Sequence, residues 1–261
     1  MPDQTLTGKI ALITGSNTGI GASIAHELSS RGASVILNYP FPSLSQQAEL
    51  VLASLPTASS SVAIEADLST TDGPASLVSA AVAHYGGGGR SIDILVNNAG
   101  LAVNKPFEEQ TLGDWDKLVN LNARGVFLLT QAVLPYLPKE GGGRVVNIVS
   151  ISARAAPPMQ TIYAGTKGMV DSFTRVWAKE LPRKYGCTVN AVSPGPTMTD
   201  GFADAGKEFM REMRPAMEQT PVGDRMAKPE EIAFAVGFLC EPRASWINGL
   251  HLVASGGLFV E

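Results

Sequence analysis

Residues 9–31 limit the fold more than any other stretch of the chain. Lys9-Ile10-Ala11-Leu12-Ile13-Thr14 is a short apolar run that reads as a strand. Gly15-Ser16-Asn17-Thr18-Gly19-Ile20-Gly21 follows, and residues 22–31 then carry apolar residues at helical spacing, with Gly32 placed to cap the helix end. A strand entering a helix through a glycine turn is the opening of a βαβ unit. Gly15 permits the tight turn, while Gly19 and Gly21 let helix and strand pack closely. The helix start then offers unpaired N–H groups and the positive end of its dipole, a setting suited to a pyrophosphate.

The alternation continues to the end of the chain. Residues 34–39, 61–66, 92–96, 145–149, 187–192 and 250–254 read as further strands. Residues 46–55, 72–85, 111–137, 163–185 and 228–240 read as helices, and 86–89 as a turn. Such a pattern calls for a parallel sheet covered on both faces, an α/β doubly wound domain over residues 1–261. Residues 201–221 carry Phe202, Phe209, Met210, Met213 and Met217. They read either as a lid, about 197–221, over an apolar pocket, or as a surface helix packed on the core.

A net charge of −4 argues against a nucleic-acid surface. No apolar run approaches the ~18 residues of a membrane span, and residues 1–8 lack a signal-peptide core. Cys187 and Cys240 have no metal-ligand spacing and suit plain core positions in a reducing, cytoplasmic setting. His26, His84 and His251 are scattered, with surface or helix-packing roles expected and no metal site.

Chemistry concentrates after residue 145. Tyr163 and Lys167 share one face of a helix at i and i+4. A cation held close to a phenol favours the phenolate and lowers its pKa. Ser150 ends a buried strand, at the sheet edge where open α/β sheets bind ligands. An isolated Tyr-x-x-x-Lys pair is more often a plain helix-surface pair. Other strand ends add to the pattern. Asn97 is expected to knit strands, while Asn98, Ala99 and Gly100 suit contact with a ring and a sugar. Asp67-Leu68 suits an adenine contact or a helix cap, and Asn122 is either a surface amide or a functional group. Gly165 and Gly168 each cost their helix roughly 1 kcal/mol against alanine, which close approach by a cofactor or a neighbouring helix would explain. The second strand ends in Asn38-Tyr39 without a carboxylate, favouring a 2′-phosphorylated dinucleotide, NADP(H), over NAD(H). No Arg or Lys lies between Gly32 and Thr71, so Ser16, Asn17, Tyr39 and Ser43 are left to supply hydrogen bonds.

Together the glycine turn, Asp67-Leu68, Asn97-Asn98-Ala99-Gly100, Asn122, Ser150, Tyr163-x-x-x-Lys167 and Pro194-Gly195 resemble the short-chain dehydrogenase/reductase pattern over nearly the whole chain. The resemblance implies a Rossmann fold with a seven-stranded parallel sheet, a homotetramer joined through the two long helices, and a catalytic tetrad of Asn122, Ser150, Tyr163 and Lys167. It implies hydride transfer between a nicotinamide dinucleotide and a small ketone or aldehyde and its alcohol, with Tyr163 as acid and base, while the apolar stretch 201–217 suggests a hydrophobic or aromatic ketone, polyketide-like or 3-oxoacyl. Asn122 would fix a water through which Lys167 exchanges protons. Pro194, Gly195, Thr197 and Thr199 would hold the nicotinamide end, and Ser150, Ser152, Gln160, Tyr163, Met198 and Phe202 would face substrate. Arg154 and Thr18 depart from the family's usual residues. Arg154 suits a polar substrate contact or a surface ion pair, and Thr18 stands where many NADP-using members carry a base. A non-catalytic binder and a dehydratase or epimerase are the competing readings.

Overall fold

The computed structural model describes residues 4–85, 92–199 and 206–261, with the side chains of 206–210 and 212 outside that description. The expected turn at 86–89 and the candidate Phe202 therefore lie outside the described residues, as do the side chains of Phe209 and Met210. Seven strands, β1 (Ile10–Ile13), β2 (Ser34–Tyr39), β3 (Val62–Glu65), β4 (Ile94–Asn97), β5 (Gly143–Ile148), β6 (Cys187–Pro194) and β7 (His251–Ala254), form one sheet in the order β3-β2-β1-β4-β5-β6-β7. All six pairings are parallel. The central strands are buried on both faces, which is why they read as unbroken apolar runs. The chain steps outward from β1 to β3, then returns to place β4 on the other side of β1. The carboxyl ends of β1 and β4 thus flank the crevice where such sheets bind ligands.

Helices cover both faces. On one side α1 (Gly19–Ser30), α2 (Ser45–Ser54) and α10 (Pro229–Cys240) pack over Ile13, Val35, Val96 and Val146. On the other, α3 (Gly73–His84), α5 (Val126–Val133) and α7 (Thr161–Glu180) pack over Leu12, Leu95, Val145 and Val189. Alternate residues of each strand feed the two layers. Leu12 faces one and Ile13 the other, as the period of two requires. The region 201–221 contains α9 (Gly206–Glu218). Among the described residues no helix is long and apolar enough to cross a membrane. Cys187 and Cys240 are buried free thiols, pushed up to about 11 and about 12 by burial.

The two long helices differ from the sequence expectation. The first, read over 111–137, is α4 (Leu112–Val119), a π-helical turn (Asn120–Gly125), α5, and a closing 3-10 turn (Leu134–Tyr136). Its start is a capping box between Thr111 and Asp114. The wide turn lies where the helix presses on the loop after β3. A Cβ on Gly125 would stand 2.5 Å from the Leu68 carbonyl oxygen. The second helix, read over 163–185, stops at Glu180, because Pro182 cannot continue the hydrogen-bond ladder and starts the short α8 (Pro182–Tyr185) instead. Among the described residues a Cβ on Gly165 would meet nothing within 4 Å, so close packing between those residues does not explain that glycine. At Gly168 a Cβ would meet only the Ala153 carbonyl oxygen, at 3.9 Å.

Candidate active site

The glycine turn forms one wall of the crevice. Gly15 and Gly19 have φ of +58° and +57°, a region that side-chain-bearing residues rarely adopt. Gly21 is required by space: a Cβ there would lie 2.3 Å from the Gly15 carbonyl oxygen and 2.6 Å from Asn98 Nδ2. Gly21→Ala is accordingly expected to lower the unfolding free energy by roughly 1–3 kcal/mol, read from a urea melt. The Thr18 side chain makes no capping hydrogen bond to α1. The backbone N–H groups and dipole of the α1 start suit an anion.

Several residues expected to touch a cofactor are hydrogen-bonded in and around this turn. Ser16 Oγ donates to the Ile13 carbonyl and accepts from Asn38 N; Ser16 N donates to the Asn38 carbonyl. Asn38 Oδ1 accepts from Gly15 N, and its Nδ2 donates to the Ala66 carbonyl. Both side chains are buried and hydrogen-bonded within the turn. Asn98 Nδ2 likewise donates to the carbonyls of Thr14 and Gly15. Asn17 donates to Gln47 on α2. Asp67 Oδ1 accepts from the backbone and hydroxyl of Ser69, while Thr70, not Asp67, accepts from the first N–H of α3. Leu68 is buried. Ile20, Tyr39 and Ala99 are half-buried and Ser43 is exposed at the crevice margin.

Opposite the turn, four chemical groups converge. Ser150 follows β5, where Ile151 N donates to the Pro194 carbonyl, and its Oγ accepts from Ser152 N at 3.1 Å. Ser150 lies near enough to the Tyr163 hydroxyl to pull its pKa down. Lys167 is 5% exposed; its Nζ donates to the Ile148 carbonyl at 2.8 Å and lies 5.9 Å from the Tyr163 ring centre. Asn122 is fully buried, so it is no surface amide. Its Oδ1 accepts from Leu101 N, and its Nδ2 donates to the Leu101 carbonyl and to Thr166 Oγ1. The π-turn swings this amide inward between β4's outgoing loop and α7. A Cβ on Gly100 would lie 3.3 Å from both Asn122 Oδ1 and Lys167 Nζ. Glycine thus leaves open the small space on which an amide oxygen and an ammonium converge.

The electrostatics differ from the simple cation–phenol picture. Burial raises the Tyr163 phenol above its ordinary value, with the Ser150 hydrogen bond pulling back only partly. Burial also lowers Lys167 to about 8. Removing water penalises the charged form of each group, so both are pushed toward neutrality. The direction at Tyr163 is therefore upward and set by burial, opposite to the lowering expected from Lys167.

The β6 end closes the crevice. Gly195 N donates to the Ala254 carbonyl, and a Cβ on Gly195 would lie 3.0 Å from Ser255 Cα. Pro194 is buried, Thr197 Oγ1 donates to the Gly195 carbonyl, and Met198 N donates to the Ala227 carbonyl. Thr199 stands across from the glycine turn, its Cγ2 3.2 Å from where a Gly19 Cβ would be. Ser152 is buried and Gln160 half-buried beside Tyr163. Asn97 knits strands as expected, donating to Asn147 and Thr130.

Sequence reading missed the service of two threonines. Thr14 Oγ1 accepts from both Asn98 N and Ala99 N, and Thr166 Oγ1 accepts from Asn122. A hydroxyl at the strand end just before the glycine turn was the available signal for the first. His251 is not a surface residue. Its Nδ1 lies 2.8 Å from buried Asp171, which Arg154 also clasps with two nitrogens. Arg154 further pairs with Glu261, so its charge is spent on a network beside the site.

Residues 15–259 match the family described as Enoyl-(Acyl carrier protein) reductase. A short-chain dehydrogenase/reductase FrzI of Cladobotryum sp is 37% identical, covering 98% of both chains. Hydroxynaphthalene reductase arp2 of Aspergillus fumigatus is 37% identical over 94% of this chain and 90% of its own. A short chain dehydrogenase from Burkholderia cenocepacia, solved in complex with NADP, is 31% identical with a TM-score of 0.87, covering 97% of this chain and 99% of its own. On its fold, its crevice and these likenesses, the chain belongs to the short-chain dehydrogenase/reductase family and is an oxidoreductase.

Proposed function

We propose that the protein is a ketoreductase that interconverts an apolar or polyketide-like ketone and its alcohol, with Tyr163 as acid and base. The observation carrying this reading is the convergence of Ser150, Tyr163, Lys167 and Asn122 opposite an uncapped, glycine-walled helix start. The crevice fits a nicotinamide dinucleotide. Its glycines leave backbone exposed where Cβ atoms would clash, and the α1 dipole faces the pyrophosphate position. A bound nicotinamide dinucleotide would supply the hydride. Gly15, Thr18, Gly19, Ile20 and Gly21 would hold its phosphates, with Ala99 and Gly100 at the ribose and Pro194, Gly195, Thr197 and Thr199 at the far end.

Tyr163 is kept protonated by burial, which suits a group that must donate a proton as charge develops on the substrate oxygen. Ser150 donates a hydrogen bond to the same oxygen. Lys167 returns a proton to Tyr163 through a water that Asn122 fixes, and glycine at position 100 keeps a Cβ out of the space beside Asn122 Oδ1 and Lys167 Nζ. The absence of a carboxylate at the end of β2 and the NADP held by the Burkholderia relative favour NADP(H). Glu65, the register partner of Tyr39, and Glu49 add negative charge there, so NAD(H) is accommodated as well.

The test follows NADPH and NADH absorbance with 1-tetralone, an aliphatic 3-oxoacyl thioester and an enoyl thioester, the last because of the family description. Ketones are expected to become alcohols, with NADPH preferred. Consumption of the enoyl thioester alone, or of nothing, overturns the reading. The pH dependence follows from the Lys167 value. Reduction is expected to hold steady at acid pH and to fall above about 8, where Lys167 loses its proton, by up to about tenfold per pH unit. The reverse oxidation is expected to rise over the same interval. Initial rates in both directions check it.

A further inference from the structure

Two hydroxyls must face one oxygen, yet Ser150 and Tyr163 stand on different elements. Ser150 leads into α6 (Ser152–Ala155), while Tyr163 is on α7. Ala153 N donates to the Ser150 carbonyl, Arg154 N and Ala155 N to that of Ile151, and Ser152 N to Ser150 Oγ. The position of α6 therefore sets the position of the Ser150 hydroxyl. A single turn of helix fixes more dihedrals than its few hydrogen bonds offset, so α6 does not hold itself in place. It ends at Ala156 with φ of 49°, and Met159 follows with φ of 67°. Strain of this kind persists only where surrounding contacts impose it.

Arg154 supplies such a contact. Its Nε donates to Asp171 Oδ2 at 3.2 Å, and its Nη2 to both carboxylate oxygens at 3.1 and 3.0 Å. Tyr163, Lys167 and Asp171 follow i, i+4, i+8 spacing on α7, so this carboxylate continues the face that carries the phenol and the ammonium. Asp171 is buried and is held from β7 as well, with His251 Nδ1 2.8 Å away. Arg154 Nη1 also pairs with Glu261. A planar guanidinium fork on a carboxylate fixes direction as well as distance, which a point charge does not. Arg154 thus docks α6 on the helix that bears Tyr163, and β7 steadies the carboxylate it docks on.

Resting on the ketoreductase reading, we propose that Arg154 is a positioning residue: by locking α6 onto Asp171 it holds the Ser150 hydroxyl where it meets the substrate oxygen alongside Tyr163. Arg154 acts through the serine and not on the reacting atoms. Without its fork α6 is free to shift, and displacing a reacting group by about 1 Å costs up to about a hundredfold in rate. Because the loss runs through Ser150, it disappears once that hydroxyl is gone.

The test measures kcat, KM for 1-tetralone and NADPH affinity in Arg154→Met, alone and combined with Ser150→Ala. Asp171 keeps His251 and Arg175 as partners, so Arg154→Met is expected to fold. Its kcat is expected to fall about tenfold, with KM and NADPH affinity within about twofold of wild type. On the Ser150→Ala background the same substitution is expected to change kcat by less than about twofold. Arg154→Lys, which restores the charge without the fork, is expected to lie between Arg154→Met and wild type, and takes the place of Arg154→Met should that variant not fold. A wild-type kcat in Arg154→Met, or in Arg154→Lys where it takes that place, overturns the assignment. So does an equal loss on both backgrounds, or a kcat loss matched by a loss of NADPH affinity. Carbon-13 shifts of labelled tyrosine, with the Tyr163 signal identified by its absence in Tyr163→Phe, read the same geometry without turnover. Arg154→Met is expected to move that signal in the direction that Ser150→Ala moves it, and an unmoved signal overturns the assignment. A wild type that reduces no ketone counts against the ketoreductase reading, and the tyrosine signal then decides Arg154 by itself.

Discussion

Phenylalanine at Tyr163 is expected to lower kcat/KM for ketone reduction by about a thousandfold or more while leaving dinucleotide affinity within about twofold of wild type. The substitution removes one oxygen. The ring stays half-buried on α7, and Lys167 keeps its bond to the Ile148 carbonyl, so the fold and the glycine wall are untouched. What disappears is the phenol hydroxyl beside Ser150, hence the proton that the substrate oxygen would take. Ser150→Ala is expected to cost less, about a hundredfold. Because the two hydroxyls serve one oxygen, the double variant should fall little below Tyr163→Phe alone. Single-turnover rates and dinucleotide titrations on all three variants check this. A Tyr163→Phe enzyme within about tenfold of wild type would remove the acid–base assignment.

The difference between what could be read from the chain and what could not follows sequence distance. Ser150 at a strand end and Tyr163 with Lys167 on one helix face are matters of local periodicity, and the folded chain brings them together as the spacing requires. The glycine turn was legible for the same reason. Asn122 could be named from the sequence but its burial could not, because that burial goes with a π-turn that lies where Gly125 meets the Leu68 carbonyl, a contact between segments far apart in sequence. Ser16 and Asn38 looked available as polar residues beside a ligand site. Only the packing of β1 against β2 reveals that each satisfies the other's backbone. His251 looked solitary, since its partner Asp171 lies 80 residues earlier. The sequence also displays a cation next to a phenol without displaying how dry both are, and that omission reversed the expected direction for Tyr163.

Dryness has a second consequence at Lys167. Its ordinary value of 10.5 falls to about 8 because the folded protein buries the ammonium without a carboxylate bonded to it. At neutral pH the charge is present in both the folded and unfolded chain, so the folded state bears the whole desolvation cost, about 3 kcal/mol. Lys167→Met keeps the aliphatic stem and removes the charge. It also leaves the Ile148 carbonyl without its donor, which returns about 1 kcal/mol. The variant is therefore expected to be more stable than wild type by about 2 kcal/mol at pH 7, a rise in Tm of about 5 °C, while losing reduction by at least about a hundredfold. Between about 8 and 10.5 the unfolded chain binds more protons at Lys167 than the folded one, so wild-type stability climbs with pH and the gap to the variant closes. Urea melts at pH 7 and above 10 separate this account from simple repacking, which would leave the gap independent of pH. A variant less stable than wild type at pH 7 would show that the ammonium is held by more than one carbonyl. Greater stability with lost turnover, in contrast, marks a charge that the fold tolerates because the chemistry at Tyr163 needs it there.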